Sequence, residues 1–468
     1  MNNQFNKDSL NRLGIFELRN LAREIGVHSP TLYKKQEIIN KILSIVSGSE
    51  EPYVARTKQG RPPKTISGVN NILDIFIPKN LEQEKGEGVF NNNDFVNLSN
   101  LVAMENNNLH YDVAEPNLAV EGILKLFAEG YGFCYAKGFQ TPVREQNYFI
   151  SNAFIQKYNL KTGDILKGQV KTISEDKPMI MYKIESINSI DAEKFNTTRK
   201  EFGDALAVYP NEPIKRHCSD NLNEHYINKF VPAGKGQRAL IVVPQNVDYS
   251  PLINNCLNCI DRGSQKFSLI CMLIEERPEE VTEYRSSLRC DKIVCTTFED
   301  SPISAVQKIE LELENAKRRV ENGEDVIIFV SNLNRLENLY RKYVVYTNDG
   351  TMDKDDIKSK AMVKKFLTNA RKTSDMGTLT IFAIIEEDGK DDGFLNSLKD
   401  LCNCQVYINA NTYLKPNKIW FDIVKSNTRK AELLLTKEVL DVVVNFKSDL
   451  TESNSNQKLL ELEKLLKN

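Results

Sequence analysis

The feature that most constrains this chain is an alternation that runs from residue 235 to residue 440. Apolar runs of strand length at 239–243, 267–274, 293–298, 326–330 and 378–385 are separated by helical patterns, most clearly at 303–320. A strand that is apolar on both faces must be covered on both faces. Crossover helices do this, and they force neighbouring strands to run parallel. The spacing therefore predicts an α/β domain with a mostly parallel sheet, for which we take residues 191–468.

Residues 118–190 have a different rhythm. Short apolar stretches are broken by Gly, Asp and Asn: AVEGILKLFAEGYGFCYAKG, then NYFISNAFIQKYNLKTGDILKGQVKTI, then PMIMYKIESI. Closely spaced short strands predict a small β-barrel. Residues 1–47 carry Leu10, Leu13, Leu18, Leu21, Ile25, Ile38, Ile39, Ile42 and Leu43 at helical spacing, which predicts a helical domain. Between these lies a polar stretch, 48–117, with an EQEKGEG run and two Asn clusters; it reads as a flexible linker. A short amphipathic helix is expected at 459–466.

Lys and Arg number 62 against 64 Asp and Glu, a formal net charge of −2, so any attraction for a polyanion must be local. Residues 1–49 are one such place, with seven basic residues against four acidic ones. Another is the linker's Gly60-Arg61-Pro62-Pro63-Lys64. Gly-Arg-Pro is flat and extended, so Arg61 and Lys64 could enter a narrow minor groove or simply add phosphate affinity. No apolar run approaches about 18 residues, so no membrane helix is expected. Nine cysteines, with no apolar leader in sight, suggest reduced thiols and a cytoplasmic protein. The pairs Cys256/Cys259 and Cys402/Cys404 could bind zinc or serve as small buried hydrophobes.

The barrel segment holds Gly130-Tyr131-Gly132-Phe133. Glycines alternating with aromatics put rings on one strand face with nothing bulky beside them. Nucleic-acid bases stack on such rings, with Lys137, Lys161 and Lys167 available for phosphates. The alternative is a hairpin whose rings fill the barrel.

These residues resemble bacterial transcription termination factor Rho. Leu13-Gly14-Ile15-Phe16-Glu17-Leu18-Arg19 is similar to the family's N-terminal helical domain. Gly130-Tyr131-Gly132-Phe133 and Asn159-Leu160-Lys161-Thr162-Gly163-Asp164 are similar to its cold-shock-type OB barrel. Gly234-Lys235-Gly236-Gln237-Arg238, the run 275–283 (EERPEEVTE) and Ser426-Asn427-Thr428-Arg429-Lys430 are similar to its RecA-like ATPase domain. The resemblance implies a multidomain α+β and α/β chain, single-stranded RNA as ligand, a ring of copies or of copies with a canonical Rho, RNA polymerase as a further partner, and no membrane.

The resemblance also shows departures. A phosphate-binding loop needs glycine for close approach, lysine for the β- and γ-phosphates and a hydroxyl for Mg²⁺. Here Asp248 stands at the glycine position and Tyr249 at the lysine position; Ser250 keeps the hydroxyl. A carboxylate about 4 Å from a phosphate costs on the order of 4 kcal/mol at an effective dielectric of 20. A lost lysine contact adds about 1.5–3 kcal/mol. Ser331 follows the strand 326–330, where the family has a Mg²⁺-binding carboxylate. Arg335 is kept. Glu276 matches the catalytic carboxylate, or else secures a helix start. Lys425 aligns with the arginine finger. The central RNA-gripping glycines align near Asp353 and Lys354, and Lys390 is a candidate channel lysine. On the later barrel strand Pro178 replaces an aromatic and Lys177 aligns with a basic neighbour.

The expectation is an RNA-binding protein in transcription termination that needs neither ATP nor Mg²⁺. The alternatives are an active RNA-dependent ATPase with unusual ligands, supported by Glu276, Arg238 and Arg335, and a nucleic-acid-binding scaffold unrelated to termination.

Overall fold

The computed structural model describes residues 22, 34–46, 118–136, 147–171, 179–216, 222–245, 247–347, 352–387, 393–413, 415 and 419–449. The expectations for Arg61, Lys64, Lys137, Lys177, Lys390 and the 459–466 helix lie outside these residues. The chain divides into two compact units, Met1–Asn71 and Ile72–Asn468. In the first, helix α1 (Lys35–Val46) buries Ile38, Ile39 and Ile42, the apolar stripe expected there.

In the second unit, strands β1 (Leu118–Leu126), β2 (Gly132–Ala136), β3 (Asn147–Ile150), β4 (Ile165–Lys171) and β5 (Ile180–Ile187) form a barrel in the order β3-β2-β1-β4-β5. The short β6 (Ile190–Asp191) extends it, and pairing of Phe149 with Ile180 closes it. Leu124, Cys134, Ile150, Leu166 and Val170 fill the interior. One element differs from the expectation of strands alone. Asn152–Tyr158 is a helix, α2, which plugs one end of the barrel with Phe154 and ends on Asn159 in the left-handed region. Five strands with a helix between the third and fourth form an OB-type barrel.

The α/β part is built on the predicted strands. β7 (Ala207–Val208) joins the sheet edge. Helix α3 (Leu222–Phe230) precedes β8 (Arg238–Pro244), and α4 (Ser250–Asn258) follows it. Then come β9 (Ser268–Leu273), α5 (Pro278–Ser287), β10 (Lys292–Cys295) and α6 (Pro302–Glu321). β11 (Asp325–Val330), α7 (Leu333–Thr347) and α8 (Met352–Thr368) lead to β12 (Arg371–Thr373) and β13 (Thr378–Glu387). α9 (Gly393–Leu401), β14 (Cys404–Tyr407), β15 (Asn427–Thr428) and α10 (Lys437–Asp449) complete it. The sheet order is β10-β9-β11-β13-β8-β14-β15, and all neighbours from β10 to β14 are parallel. Its two faces carry separate apolar clusters, as strands buried on both sides require. β10 ends at Cys295 rather than 298, and Phe298 beyond it is exposed. Among the described residues, no helix is long and apolar enough to cross a membrane.

Barrel and α/β part meet at a polar seam. Gly163 has φ +95°, and a Cβ there would fall 2.5 Å from the backbone of Glu314 on α6. Only glycine allows that approach. The Asn315 side-chain amide donates to the Gly163 carbonyl at 2.8 Å. Fully buried Asp164 takes both Arg199 guanidinium nitrogens, at 2.6 and 2.8 Å, and the Asn188 amide at 2.8 Å.

Candidate functional site

Two sites emerge. The first is on the barrel. Side chains alternate along a strand, and directly paired residues share a face. Lys125 pairs with Phe133, and Phe133 with Phe149, so all three lie on the outer face of the β1–β2–β3 sheet. The hairpin is tight: Phe127 N–H donates to the Tyr131 carbonyl at 2.9 Å and Gly130 N–H to the Phe127 carbonyl at 3.0 Å. Gly130 makes the reversal at φ +87°. This geometry brings Phe127 and Tyr131 together as stacked rings, 5.2 Å between centroids and 15° between planes. Phe133 stands edge-on to both at 5.9 Å, and Tyr131 also stacks on buried Phe149.

Tyr131 and Phe133 therefore lie together, partly exposed, with Tyr131 packed on other rings rather than inside the barrel. Sequence reasoning missed two members of this face. Phe127 ends the β1 segment and reads as one more core residue. Lys125 reads as a solvated lysine, yet its ammonium lies over the Phe127 ring, 5.2 Å from the centroid. Burial pushes its pKa down to about 8. The available signal was position: both are on the β1 face opposite Leu124. Lys161 has a different place. Its ammonium pairs with Glu201 at 2.6 Å, and its backbone N–H donates to Asp164 at 2.7 Å, so it serves the seam.

The second site lies at the carboxyl ends of β9, β11, β13 and β8, the usual crevice of a doubly wound sheet. Asp248, Tyr249 and Ser250 lead into α4. The Asp248 carboxylate accepts the Ser250 backbone N–H at 2.9 Å, so a negative group already sits at the helix N-terminus. The Ser250 hydroxyl accepts from Tyr284 at 3.0 Å. The Tyr249 phenol crosses the crevice and accepts from the Asn332 amide at 2.9 Å; Asn332 also donates to Glu386 at 2.6 Å. Burial pushes the Tyr249 pKa up to about 12, so the phenol stays neutral.

Ser331 is fully buried after β11, and its hydroxyl accepts the Ile274 N–H at 3.0 Å. Glu276 is buried and takes the Arg335 guanidinium at 2.5 Å; Arg335 also donates to the Glu275 carbonyl at 3.2 Å. Burial pushes the Glu276 carboxyl above its usual range, and Arg335 opposes that rise. Glu275 is held at φ +47° with its carboxylate on Lys342. Arg238 opens β8, half-buried and paired with Ile381 of β13. Lys425 is exposed in the loop before β15, its N–H on Asp422. Asp353 and Lys354 fall in the first turn of α8 rather than in a loop.

Comparison with known proteins places both halves. Residues 120–193 match the Rho termination factor RNA-binding domain, and residues 224–413 match the nucleotide-binding domain of the ATP synthase alpha/beta family. Transcription termination factor Rho 1 of Ehrlichia chaffeensis is 31% identical over 335 residues, covering 69% of this chain and 78% of that protein. The chain belongs to the transcription termination factor Rho family. The Rho of Borreliella burgdorferi is 32% identical over 337 residues, which cover 70% of this chain and 64% of that longer relative. A solved type III secretion ATPase overlays 52% of this chain and 71% of its own at 18% identity, with a TM-score of 0.45. The Rho family match spans the OB-type barrel and the RecA-like sheet alike.

Proposed function

We propose that this Rho-family chain binds single-stranded RNA on its barrel and acts in transcription termination without hydrolysing ATP at its own crevice. One observation carries the second half: each of the three side chains from 248 to 250 is already held by a hydrogen bond within the chain itself. The Asp248 carboxylate accepts the Ser250 backbone N–H, the Tyr249 phenol accepts from Asn332, and the Ser250 hydroxyl accepts from Tyr284. A phosphate entering there would meet a carboxylate and displace a phenol buried in a hydrogen-bonded network. On the metal side, Ser331 offers a neutral hydroxyl bound to Ile274, a poor ligand for a hard dication. Glu276 and Arg335 then act as a structural pair that ties β9 to α7.

The first half is supported by Tyr131 and Phe133, two partly exposed rings on the OB face that binds oligonucleotides in this fold. Family membership supports the further reading that the α/β domain assembles into a ring with copies of itself or with a canonical Rho, and the exposure of Lys425 is compatible with a place at a neighbour's site. The test is titration of Mg·ATP, with and without RNA, together with a phosphate-release assay. The expected result is RNA binding with no nucleotide binding at millimolar ATP and no hydrolysis. RNA-stimulated hydrolysis that is lost in Glu276→Gln would overturn the proposal and make the chain a working motor. Co-purification with a canonical Rho separates a mixed ring from a ring of identical copies.

A further inference from the structure

The amino-terminal edge of the α/β sheet, at the end opposite the crevice, is charged differently on its two faces. On one face the cations are matched. Lys235 pairs with Asp325 at 2.8 Å and with Glu212 at 3.1 Å, and Glu212 also takes Lys372. On the other face lie Arg238 and Arg371. Arg238 is paired with Ile381 of β13 and Arg371 with Leu379 of the same strand, so both share the face of Leu379 and Ile381, one on each side of β13. Among the described residues neither arginine has a carboxylate partner. Arg371 lies over the Phe202 ring, 4.7 Å from the centroid, and donates to the Thr368 carbonyl at 3.4 Å, in the last turn of α8. The Arg238 side chain has no hydrogen-bond partner among the described residues, and its Nε is buried. Burial and the charge of Arg238 push the Arg371 pKa below its ordinary value. Arginines that served only to balance helix carbonyls would both be bonded to them, and Arg238 is not. Two like charges on one half-buried face, with a buried donor left open, lack a counter-ion.

We propose that Arg238 and Arg371 form an oxyanion site that takes one phosphate group, with a guanidinium from each side of β13. The planar guanidinium fork matches two phosphate oxygens at a time. The two backbones are two strand spacings apart across the sheet, about 10 Å, close enough for both side chains to meet one ion. The site is separate from the crevice and from the barrel face, and it stands whether or not the chain hydrolyses ATP. The phosphate comes as a free ion or as one link of an RNA strand, and the chemistry of the seat is the same for both.

The experiment uses the full chain and inorganic phosphate, with chloride as the comparison at constant ionic strength. Thermal midpoints are measured for the natural chain, Arg238→Met, Arg371→Met and the double variant, with exposed Arg289→Gln as a control. Phosphate should raise the midpoint of the natural chain and of the control in a saturable way, as a ligand of the folded state does. Each single variant should need about ten-fold more phosphate for the same rise, the scale of one charge-assisted contact. Arg371→Lys keeps the charge without the fork and should fall between Arg371→Met and the natural chain. The decisive readout is the coupling between the two arginines in a double-mutant cycle. In chloride the pair repels, so removing one arginine relieves the other; in phosphate the coupling changes sign. Arginines with a packing role alone would show the same coupling in both buffers. That result, or a phosphate-induced rise equal in all variants, overturns the site. A repeat with saturating oligocytidine identifies the source: an RNA link at the site abolishes the response to phosphate, and a seat for the free ion keeps it.

Discussion

The barrel face and the crevice of the α/β sheet are both concentrations of aromatic and polar side chains, and they are finished in opposite ways. On the barrel, Phe127, Tyr131 and Phe133 lean on one another and on buried Phe149, yet each keeps part of its ring in solvent. In the crevice, Asp248, Tyr249, Ser250, Asn332, Glu386 and Arg335 are held by hydrogen bonds within the chain, and Glu276 gives one oxygen to Arg335 while its other oxygen is buried without a partner. A face that binds must leave interaction capacity unspent. A site whose donors and acceptors are already matched gains little from a ligand and loses its own network to admit one. On the proposed reading, this difference separates an RNA-binding face from an idle nucleotide crevice more directly than the presence or absence of any single residue.

The sharpest way to break the comparison is to reopen the crevice. Combining Asp248→Gly, Tyr249→Lys and Ser331→Asp removes the competing carboxylate, replaces the phenol with an ammonium and supplies an anionic metal ligand. The first two terms alone amount to roughly 5–7 kcal/mol, a thousand-fold or more in affinity. A fluorescent ATP analogue should then bind the triple variant in the presence of Mg²⁺ and not the natural chain. Equal binding by both would show that the inward network is no barrier.

The second largest effect lies at the seam between the two regions. Asp164 is fully buried against Arg199, so Asp164→Ala leaves the guanidinium with only the more distant Glu321 carboxylate, 3.9 Å away, at a cost of about 3 kcal/mol. Urea unfolding should show the loss, and the barrel should melt apart from the α/β part. A single unshifted transition would mean that the seam does not hold them together. Next comes the binding face. Tyr131→Ala and Phe133→Ala should each weaken RNA binding by about 1–3 kcal/mol, read by fluorescence anisotropy. The crevice variants should leave that affinity unchanged if the two regions are as independent as their finishing suggests.

How much of this was legible follows from the range over which each signal acts. Runs such as 326–330 and 378–385 announce buried parallel strands because burial on both faces leaves no polar position, and β11 and β13 appear where they should. β14 was not read: Cys404-Gln405-Val406-Tyr407 is too short and mixed to stand out, and only its pairing with β8 makes it a strand. Helix α2 interrupts residues that alternate like strands, and it is fixed by the barrel end it closes. The loss of glycine and lysine at 248 and 249 could be read locally. That Tyr249 reaches Asn332, 83 positions away, could not, because a hydrogen-bond partner is set by the sheet order. For the same reason the capture of Lys161 by Glu201, 40 positions on, was invisible, and the lysine looked free for RNA.

The smallest effect refines the barrel side. Burial brings the Lys125 pKa down to about 8, so the ammonium is charged below that pH and neutral above it. RNA phosphates near the face favour the charged form by attraction through space. Affinity for an oligocytidine should therefore be highest near pH 7 and decline toward pH 9, by less than the worth of one phosphate contact. Cytosine keeps its protonation state over this range, so the ligand itself contributes nothing. The phenols of Tyr131, just before β2, and of Tyr135 on it are pushed above their ordinary values and stay neutral; Cys134 faces the interior with its thiol also pushed up. At the seam beyond β1, Asp164 is bound to Arg199 and Lys161 to Glu201. A lysine in water would show no such decline, because its pKa near 10.4 leaves it charged throughout. Lys125→Arg should flatten the profile, since a guanidinium holds its proton in any protein environment. A profile that is flat in the natural chain, or that declines equally in the arginine variant, would remove Lys125 from the RNA face and leave stacking alone as the basis of binding there.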